Sequence, residues 1–230
     1  MICNAHIDPV WQWEWEEGAA ETLSTFRVAA DFCEEFDGFV FNHNEAMLCR
    51  WVEEYEPALF ARIRRLVRAG RWHIMGGWYL QPDCNMPSGE SFVRQIESGL
   101  SYFQEKFGVR PTTAVSVDAF GHTRGLVQIL KKTGFDSYLF CRPWASFQDL
   151  PEGVFDWVGY DGSRVMAYRI NDSYASPLGK AAEKIETAAR RSDAPIEVCL
   201  WGVGDHGGGP SRQDLQAIAR LTERLQKEGI

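Results

Sequence analysis

Apolar residues along this chain follow two spacings in turn, and the alternation runs through most of the sequence. Short apolar runs of strand length are followed by longer segments in which apolar residues recur every three or four positions, the spacing of a helix with one buried face. Six strands of this kind are predicted, at residues 2–5, 39–41, 72–80, 113–117, 137–141 and 196–201. Strands that alternate with helices in this way are typical of a parallel sheet whose strands are connected by helices.

One stretch departs from this alternation. Asp161-Gly162 separates two strand-like runs between residues 154 and 170, which predicts a hairpin in place of a helical connection. Elsewhere the helix signals are local. Ser88 is a candidate N-cap for the helix that follows it, and another helix is expected to open at residues 121–122.

Polar side chains follow three of the predicted strands at the point where each strand ends. His6 and Asp8 come after the first strand, two positions apart, so an extended chain directs both to the same side. Asp118 follows the fourth strand and Arg142 the fifth. Because sites in parallel α/β proteins form outside the carboxyl ends of the strands, we expect these side chains to belong to one site.

The chemistry of three of these side chains favours a transition metal. The imidazole of His6 and the carboxylates of Asp8 and Asp118 make a partial ligand set for Zn²⁺, whereas Mg²⁺ prefers oxygen ligands and water. Simpler roles are open to the same residues. His6 and Asp8 would also suit the cap of a turn, and Asp118 would suit the N-cap of the next helix.

Four further side chains are candidates for catalysis or substrate binding. Asp205 and His206 lie in the glycine-rich turn 204–210, where Asp205 is a candidate general acid and equally a candidate for an N-cap or an Asx turn. Arg142 would orient a hydroxyl or a carboxylate of a ligand, or form a surface salt bridge. Asp83 would line a cleft, or order its own loop.

Composition narrows the class of protein. Of the 230 residues, 45% are hydrophobic and 24% are charged, which is typical of one globular domain with a large core. The formal net charge of -8 argues against a nucleic-acid partner, and no apolar stretch approaches the ~18 residues that span a membrane. The six cysteines have no C-x-x-C spacing, so we expect reduced core thiols in a cytoplasmic protein. Nine tryptophans, several of them near polar strand ends, favour a carbohydrate ligand.

Five motifs, in a fixed order, resemble the amino-terminal domain of family 38 glycoside hydrolases, the zinc-dependent α-mannosidases. The order is more specific than any single motif, and the overlap extends over essentially the whole chain. The motifs are His6-x-Asp8-Pro9-x-Trp11, Asp83-x-Asn85-x-Pro87-Ser88-Gly89-Glu90-Ser91, Asp118-x-Phe120-Gly121-His122, Phe155-x-Trp157-x-Gly159-x-Asp161-Gly162-Ser163 and Gly204-Asp205-His206-Gly207-Gly208-Gly209-Pro210.

The resemblance implies a seven-stranded β/α barrel that hydrolyses terminal α-mannosyl residues of mannose-containing oligosaccharides. It implies zinc held by His6, Asp8 and Asp118, with Asp118 as the nucleophile of a retaining reaction. Asp205 is the candidate acid. The candidate substrate-binding residues are Trp11, which would stack on the sugar, Arg142, which matches a family arginine near the nucleophile, Asp83 and His206.

Family members take a fourth zinc ligand, a histidine, from a later segment, and they carry further domains downstream. We therefore expect this chain to be incomplete at its carboxyl end and its homo-oligomer contacts, where they exist, to come from those domains. Two other functions are compatible with the motifs. One is a metal-dependent hydrolase of the polysaccharide deacetylase kind, in which Asp118 would act as a base; the other is a non-catalytic fragment that binds sugar or metal.

Overall fold

The structure of the protein is a computed structural model, and it describes residues 1–144, 147–151, 153–191, 196–204 and 206–229. The strands are β1 (Ile2–Cys3), β2 (Phe41–Glu45), β3 (Trp72–Trp78), β4 (Thr113–Ser116), β5 (Ser137–Phe140), β6 (Gly153–Val158), β7 (Arg164–Arg169) and β8 (Leu200–Trp201). The helices are α1 (Trp15–Glu35), α2 (Ala46–Tyr55), α3 (Pro57–Arg68), α4 (Gly89–Phe107), α5 (Leu126–Thr133), α6 (Ala181–Arg191) and α7 (Arg212–Glu228).

The chain divides into two compact units. The first unit is formed by residues 1–42, 51–73 and 172–230, and the second unit by residues 43–50 and 74–171. The division reflects how densely each part packs within itself, so the prediction of a single domain spanning the chain stays a prediction.

The strands form two four-stranded sheets in the part of the chain that the structure describes. Their orders are β3-β2-β1-β8 and β4-β5-β7-β6. Parallel strands joined by helices are therefore confirmed. The strands do not close into one sheet within the described residues, so the seven-stranded barrel is not confirmed.

Strand β1 is central in its sheet although it is only two residues long. Cys3 pairs in parallel with Phe41 of β2 and with Trp201 of β8. The amide of Asn4 also donates to the carbonyl of Trp201 at 3.0 Å, so the chain stays in register beyond the strand itself. This register fixes the direction in which the chain leaves the sheet toward His6.

The other sheet has a parallel half and an antiparallel edge. Strands β4 and β5 pair in parallel from Thr113 opposite Ser137 to Ser116 opposite Phe140, and β7 continues the sheet in parallel with β5. Strand β6 pairs antiparallel with β7. The hairpin that Asp161-Gly162 predicts is thus confirmed.

The core of the second unit lies between this sheet and two helices. Ala114, Tyr138 and Ala167 lie in one cross-strand row, and they belong to a buried cluster with Leu100 of α4 and Leu130 of α5. Burying side chains of leucine size contributes about 2 kcal/mol each. The core therefore holds the carboxyl ends of β4 and β5 side by side.

Helix α4 begins and ends where its sequence predicts. The Ser88 hydroxyl accepts a hydrogen bond from the amide of Ser91, which confirms the N-cap. At the other end Gly108 adopts a left-handed conformation (φ 72°), the usual cap of a helix carboxyl terminus.

Two predicted elements differ from the structure. The strand expected at 196–201 is limited to Leu200–Trp201. The helix expected to open at 121–122 begins instead at Leu126. The reason is that His122 forms an isolated parallel bridge with Cys84, so its backbone is committed to strand-like pairing.

All six cysteines lie among the described residues, where they are buried as thiols and form no disulfide. None of the helices that the structure describes has both the length and the apolar character needed to cross a bilayer.

Candidate active site

The first unit holds His6 and Asp8 together. Three residues beyond β1, the Nε2 atom of His6 lies 3.2 Å from Oδ1 of Asp8. His6 is buried, its carbonyl accepts the amide of Gly207 at 3.0 Å, and its ring lies 4.9 Å from the ring of Tyr174. Two positions of extended chain thus bring the side chains together, as period-two geometry predicts. An imidazole nitrogen and a carboxylate oxygen placed in this way are donors that zinc accepts.

Two tryptophans follow this pair in the chain, and a second histidine, His206, contacts one of them. Trp11 is 64% exposed, which leaves a face open to a ligand, and its ring is 5.3 Å from that of Trp13. The Trp13 indole donates to the carbonyl of Asp8 at 3.0 Å and lies over the ring of His206, with 3.5 Å between ring centres. His206 Nε2 is also 3.6 Å from Oε1 of Glu17.

The sequence does not identify Trp13 as a residue of the candidate site. Its place in a polar-aromatic loop gives no indication of which tryptophan hydrogen-bonds back to the chain and which stays exposed.

The glycine-rich turn is held tightly against its surroundings. The Gly208 amide donates to the hydroxyl of Thr25 at 3.1 Å. Gly208 has φ +90°, and a Cβ there would lie 2.8 Å from the carbonyl oxygen of Val203, so both conformation and space require glycine. Asp205, the candidate acid, lies outside the described residues.

The second unit pairs Asp118 with Arg142. Each residue lies two positions beyond the last matched pair of β4 and β5, Ser116 opposite Phe140, so the parallel register itself delivers them side by side. Arg142 Nη1 is 3.0 Å from Asp118 Oδ1, and both side chains are 24% exposed. A partly buried ion pair at strand ends differs from the exposed surface salt bridge that was the alternative for Arg142.

Aromatic rings flank the Arg142 guanidinium. Its central carbon is 4.9 Å from the ring centre of Phe120 and 5.7 Å from that of Trp144. These distances suit cation–π contacts, which a planar guanidinium makes well. The N-cap alternative for Asp118 is wrong, because α5 begins only at Leu126, after Gly125.

His122 contacts the main chain of Arg142, and the sequence does not indicate this contact. The Nε2 atom of His122 is 2.7 Å from the carbonyl oxygen of Arg142, and Nδ1 is 2.8 Å from the hydroxyl of Tyr138. Burial lowers the pKa of the His122 imidazole, although the Arg142 carbonyl acts in the opposite direction. The sequence placed His122 in a motif and at a helix start, neither of which gives its side-chain partners.

Asp83 has a contact that accounts for its loop. Its exposed carboxylate accepts the amides of Asn85 at 2.8 Å and Met86 at 3.2 Å, which is an Asx turn. The loop-ordering alternative for Asp83 therefore has direct support, and substrate binding by Asp83 stays a prediction.

The sequence of the chain matches a family model described as "Glycosyl hydrolases family 38 N-terminal domain" over residues 1–228. Alpha-mannosidase 2C1 of Homo sapiens is 32% identical over 224 residues, which are 95% of this chain and 21% of that protein. Alpha-mannosidase G of Dictyostelium discoideum is 30% identical over 236 residues, covering 100% of this chain and 21% of that protein. The chain thus spans about a fifth of the length of these relatives.

A solved structure agrees at the level of fold. The crystal structure of an alpha-mannosidase from Enterococcus faecalis V583 superposes with a TM-score of 0.82 and 18% sequence identity, covering 99% of this chain and 27% of that chain. At this identity the likeness supports the α/β arrangement of parallel strands and helices, and it carries no information on the reaction.

Proposed function

Because the chain belongs to glycosyl hydrolase family 38, whose N-terminal domain it matches, we propose that it forms part of the catalytic domain of a retaining, zinc-dependent α-mannosidase. The substrate class is glycans with terminal α-mannosyl residues. The proposal includes the seven-stranded barrel and the cytoplasmic location that the sequence predicts.

One observation carries the proposal, and it concerns Asp118. The carboxylate lies at the carboxyl end of a parallel strand and is held by Arg142 at 3.0 Å, with a quarter of its side chain exposed. A nucleophilic carboxylate needs this combination, because it must be fixed in direction and still reach a substrate.

We propose that zinc is held by His6, Asp8 and Asp118. The donor set fits the metal, because His6 and Asp8 present a nitrogen and an oxygen 3.2 Å apart and a second carboxylate completes a three-residue set. Zinc would supply a Lewis acid that binds and polarises sugar hydroxyls.

In the reaction, Asp118 attacks the anomeric carbon as the bond to the leaving oxygen breaks, and an acid donates a proton to that oxygen. In the second step the conjugate base of the acid takes a proton from water, the water oxygen attacks the anomeric carbon, and Asp118 leaves as a carboxylate. Asp205 is the proposed acid, and ~5–5.5 Å between the two carboxyl groups is what a retaining enzyme requires. Trp11, with its exposed face, would stack on the sugar.

The first prediction concerns the nucleophile. In the full-length protein with an aryl α-mannoside and zinc, we expect Asp118→Ala to lower kcat by at least about 10³-fold, because the variant lacks the proposed nucleophile. Added azide should restore aryl release and yield a mannosyl azide of inverted configuration. Product formation is followed by absorbance and by NMR of the anomeric proton.

Asp156→Ala is the matched control. Asp156 is also a carboxylate of the second unit paired with an arginine, Arg164, at 3.3 Å, but it lies exposed in the hairpin. Its variant should keep normal turnover. Acetate release from an N-acetylated glycan by the wild-type protein, without aryl release, would instead indicate a deacetylase.

The second prediction concerns the metal. After dialysis against trace zinc, we expect His6→Ala and Asp8→Ala to retain much less zinc than the wild-type protein in elemental analysis, because each removes one ligand. Unchanged zinc content in both variants would refute the ligand assignment. Retained zinc in a wild-type protein with no turnover on any mannoside would favour a binding fragment.

A further inference from the structure

The carbonyl of Arg142 ends a directed chain of hydrogen bonds in the second unit. A carbonyl only accepts, so Nε2 of His122 must carry the hydrogen that bridges their 2.7 Å separation. In the neutral ring Nδ1 then has a lone pair, and the Tyr138 hydroxyl donates to it at 2.8 Å. The thiol of Cys84 lies 3.5 Å from that hydroxyl and also donates to the carbonyl of Pro82 at 3.6 Å.

Each group in this series is kept in the protonation state that the direction requires. Burial raises the pKa of the Tyr138 phenol well above its usual value, so the hydroxyl remains a donor. Burial also raises the pKa of the Cys84 thiol and lowers that of the His122 imidazole. All three groups are therefore neutral at pH 7, and the hydrogen bonds from Tyr138 to His122 and from His122 to Arg142 run in a single direction.

The His122 ring has little freedom to turn away from this arrangement. Rings of the β5 and β6 strands surround it, with centres 5.4 Å away for Tyr138, 4.8 Å for Phe140 and 6.2 Å for Trp157, all at steep angles. Edge-to-face packing of this kind fixes orientation as well as contact area.

We propose that His122, supported by Tyr138, is a positioning residue for the reaction: it fixes the main chain of Arg142 and thereby the guanidinium that holds the Asp118 carboxylate. This inference rests on the proposed function, because it assigns the pair Arg142 and Asp118 to catalysis. Neither His122 nor Tyr138 touches the substrate in this assignment.

The reach of the effect follows from geometry. Arg142 is anchored through its carbonyl at one end and through its 3.0 Å contact with Asp118 at the other. Releasing the carbonyl lets the guanidinium move relative to the Asp118 carboxylate. A displacement of about 1 Å at a reacting group costs as much as ~10²-fold in rate.

A purely structural role for His122 makes a different prediction from positioning. A half-buried histidine hydrogen-bonded to tyrosine would stabilise the fold without affecting the reacting groups. Removing it would then lower the stability of the protein and leave kcat unchanged. The two roles separate when kcat and stability are measured on the same set of variants.

The kinetic experiment uses the full-length protein with an aryl α-mannoside. We expect His122→Ala to lower kcat about 10-fold to 100-fold with little change in KM, in the range seen when a residue supporting a catalytic ligand is lost. His122→Gln carries an amide N–H that reaches the Arg142 carbonyl, so it should recover most of that loss. Tyr138→Phe should fall between the two.

Ser137→Ala is the control. Ser137 is buried and hydrogen-bonded to Thr113 at 2.7 Å, and it lies at the opposite end of β5 from Arg142. It should lose stability and keep kcat. Equal kcat in the wild-type protein, His122→Ala and Ser137→Ala would overturn the inference while leaving the proposed function intact.

Crystal structures of the variants give a readout besides activity. We expect the Arg142–Asp118 contact to lengthen or break in His122→Ala and to persist in His122→Gln. An unchanged contact in His122→Ala would overturn the inference even if kcat falls. A wild-type protein that turns over no α-mannoside would remove the proposed function and the positioning role together, and the structures would then show only whether His122 anchors Arg142.

Discussion

His122 is a half-buried titratable residue of the second unit, and both of its ring nitrogens are in hydrogen bonds. Burial lowers the pKa of its imidazole, so the folded protein resists protonation at a pH where an unfolded chain, with an ordinary histidine pKa of ~6.5, accepts a proton. The stabilising contribution of the neutral ring is therefore fully present above that pH and decreases as the pH falls below it.

The third prediction is a pH dependence of stability. The free energy of unfolding should fall more steeply in the wild-type protein than in His122→Gln as the pH drops from 7.5 to 5.5, because glutamine does not titrate. Urea unfolding at several pH values measures the difference. His73, whose pKa burial also lowers, is present in both proteins and cancels. Parallel curves would mean that His122 titrates alike in the folded and unfolded states.

The residues of the candidate site differ in how far the sequence predicts them. His6 with Asp8 follows from period two, and Asp118 beside Arg142 follows from two parallel strands that end in register. The hydrogen bonds of His122 cannot be predicted in this way, because they depend on the rotation of its side chain and on the position of its loop relative to Arg142. Hydropathy and spacing contain no information on either.

Two helices of the first unit share one buried carboxylate. Asp214 lies in the first turn of α7, where its own amide donates to Ser211 at 3.0 Å, and its side chain accepts the amides of Gly179 at 3.2 Å and Ala181 at 3.1 Å before and at the start of α6. Asp214 is fully buried. The carboxylate of Asp214, in α7, therefore accepts hydrogen bonds from backbone amides at the start of α6 as well.

The fourth prediction follows from that sharing. Asp214→Ala should lower the free energy of unfolding by about 3 kcal/mol, because two amides lose a charged acceptor and the Ala181 amide is left buried. Asp214→Asn keeps one acceptor oxygen and should lose less. Urea denaturation measures both.

Asp31→Ala serves as the comparison for this prediction. Asp31 is likewise a hydrogen-bonded carboxylate of the first unit, paired with Arg62 at 2.7 Å, but it lies at the surface, where such pairs contribute about 0–1 kcal/mol. A loss in Asp214→Ala no larger than in Asp31→Ala would contradict the assignment.

At the scale of elements, period and capping residues predict most of the structure. Ser88 and the Asp161-Gly162 turn give correct boundaries because their signals are local. The predictions fail where tertiary contacts decide, as at 121–122, where pairing with Cys84 replaces the expected helix, and at 196–199, where Cys199 accepts a hydrogen bond from Ile2 but the strand begins only at Leu200. Closure of the sheets is a long-range property that no local pattern encodes.

The cysteine thiols are distributed over both units, so their reactivity measures the unfolding of each unit. All six cysteines are buried, with Cys3, Cys33 and Cys199 in the first unit and the other three in the second. Burial raises the pKa of the Cys33 thiol to about 11 and raises that of Cys3 and Cys199 as well. Since the thiolate is the reactive form, burial protects these groups both by access and by charge.

The fifth prediction tests the single domain that the sequence predicts. Pulses of iodoacetamide at pH 8, followed by mass mapping of peptides, should label none of the six cysteines in the native protein. As urea is raised, cysteines of both units should become reactive at one midpoint, because each unit is built from chain segments that the other interrupts and neither is a continuous piece that folds first. Two separate midpoints, one for each unit, would identify two domains, and fast labelling without urea would show that a thiol is accessible in the native protein.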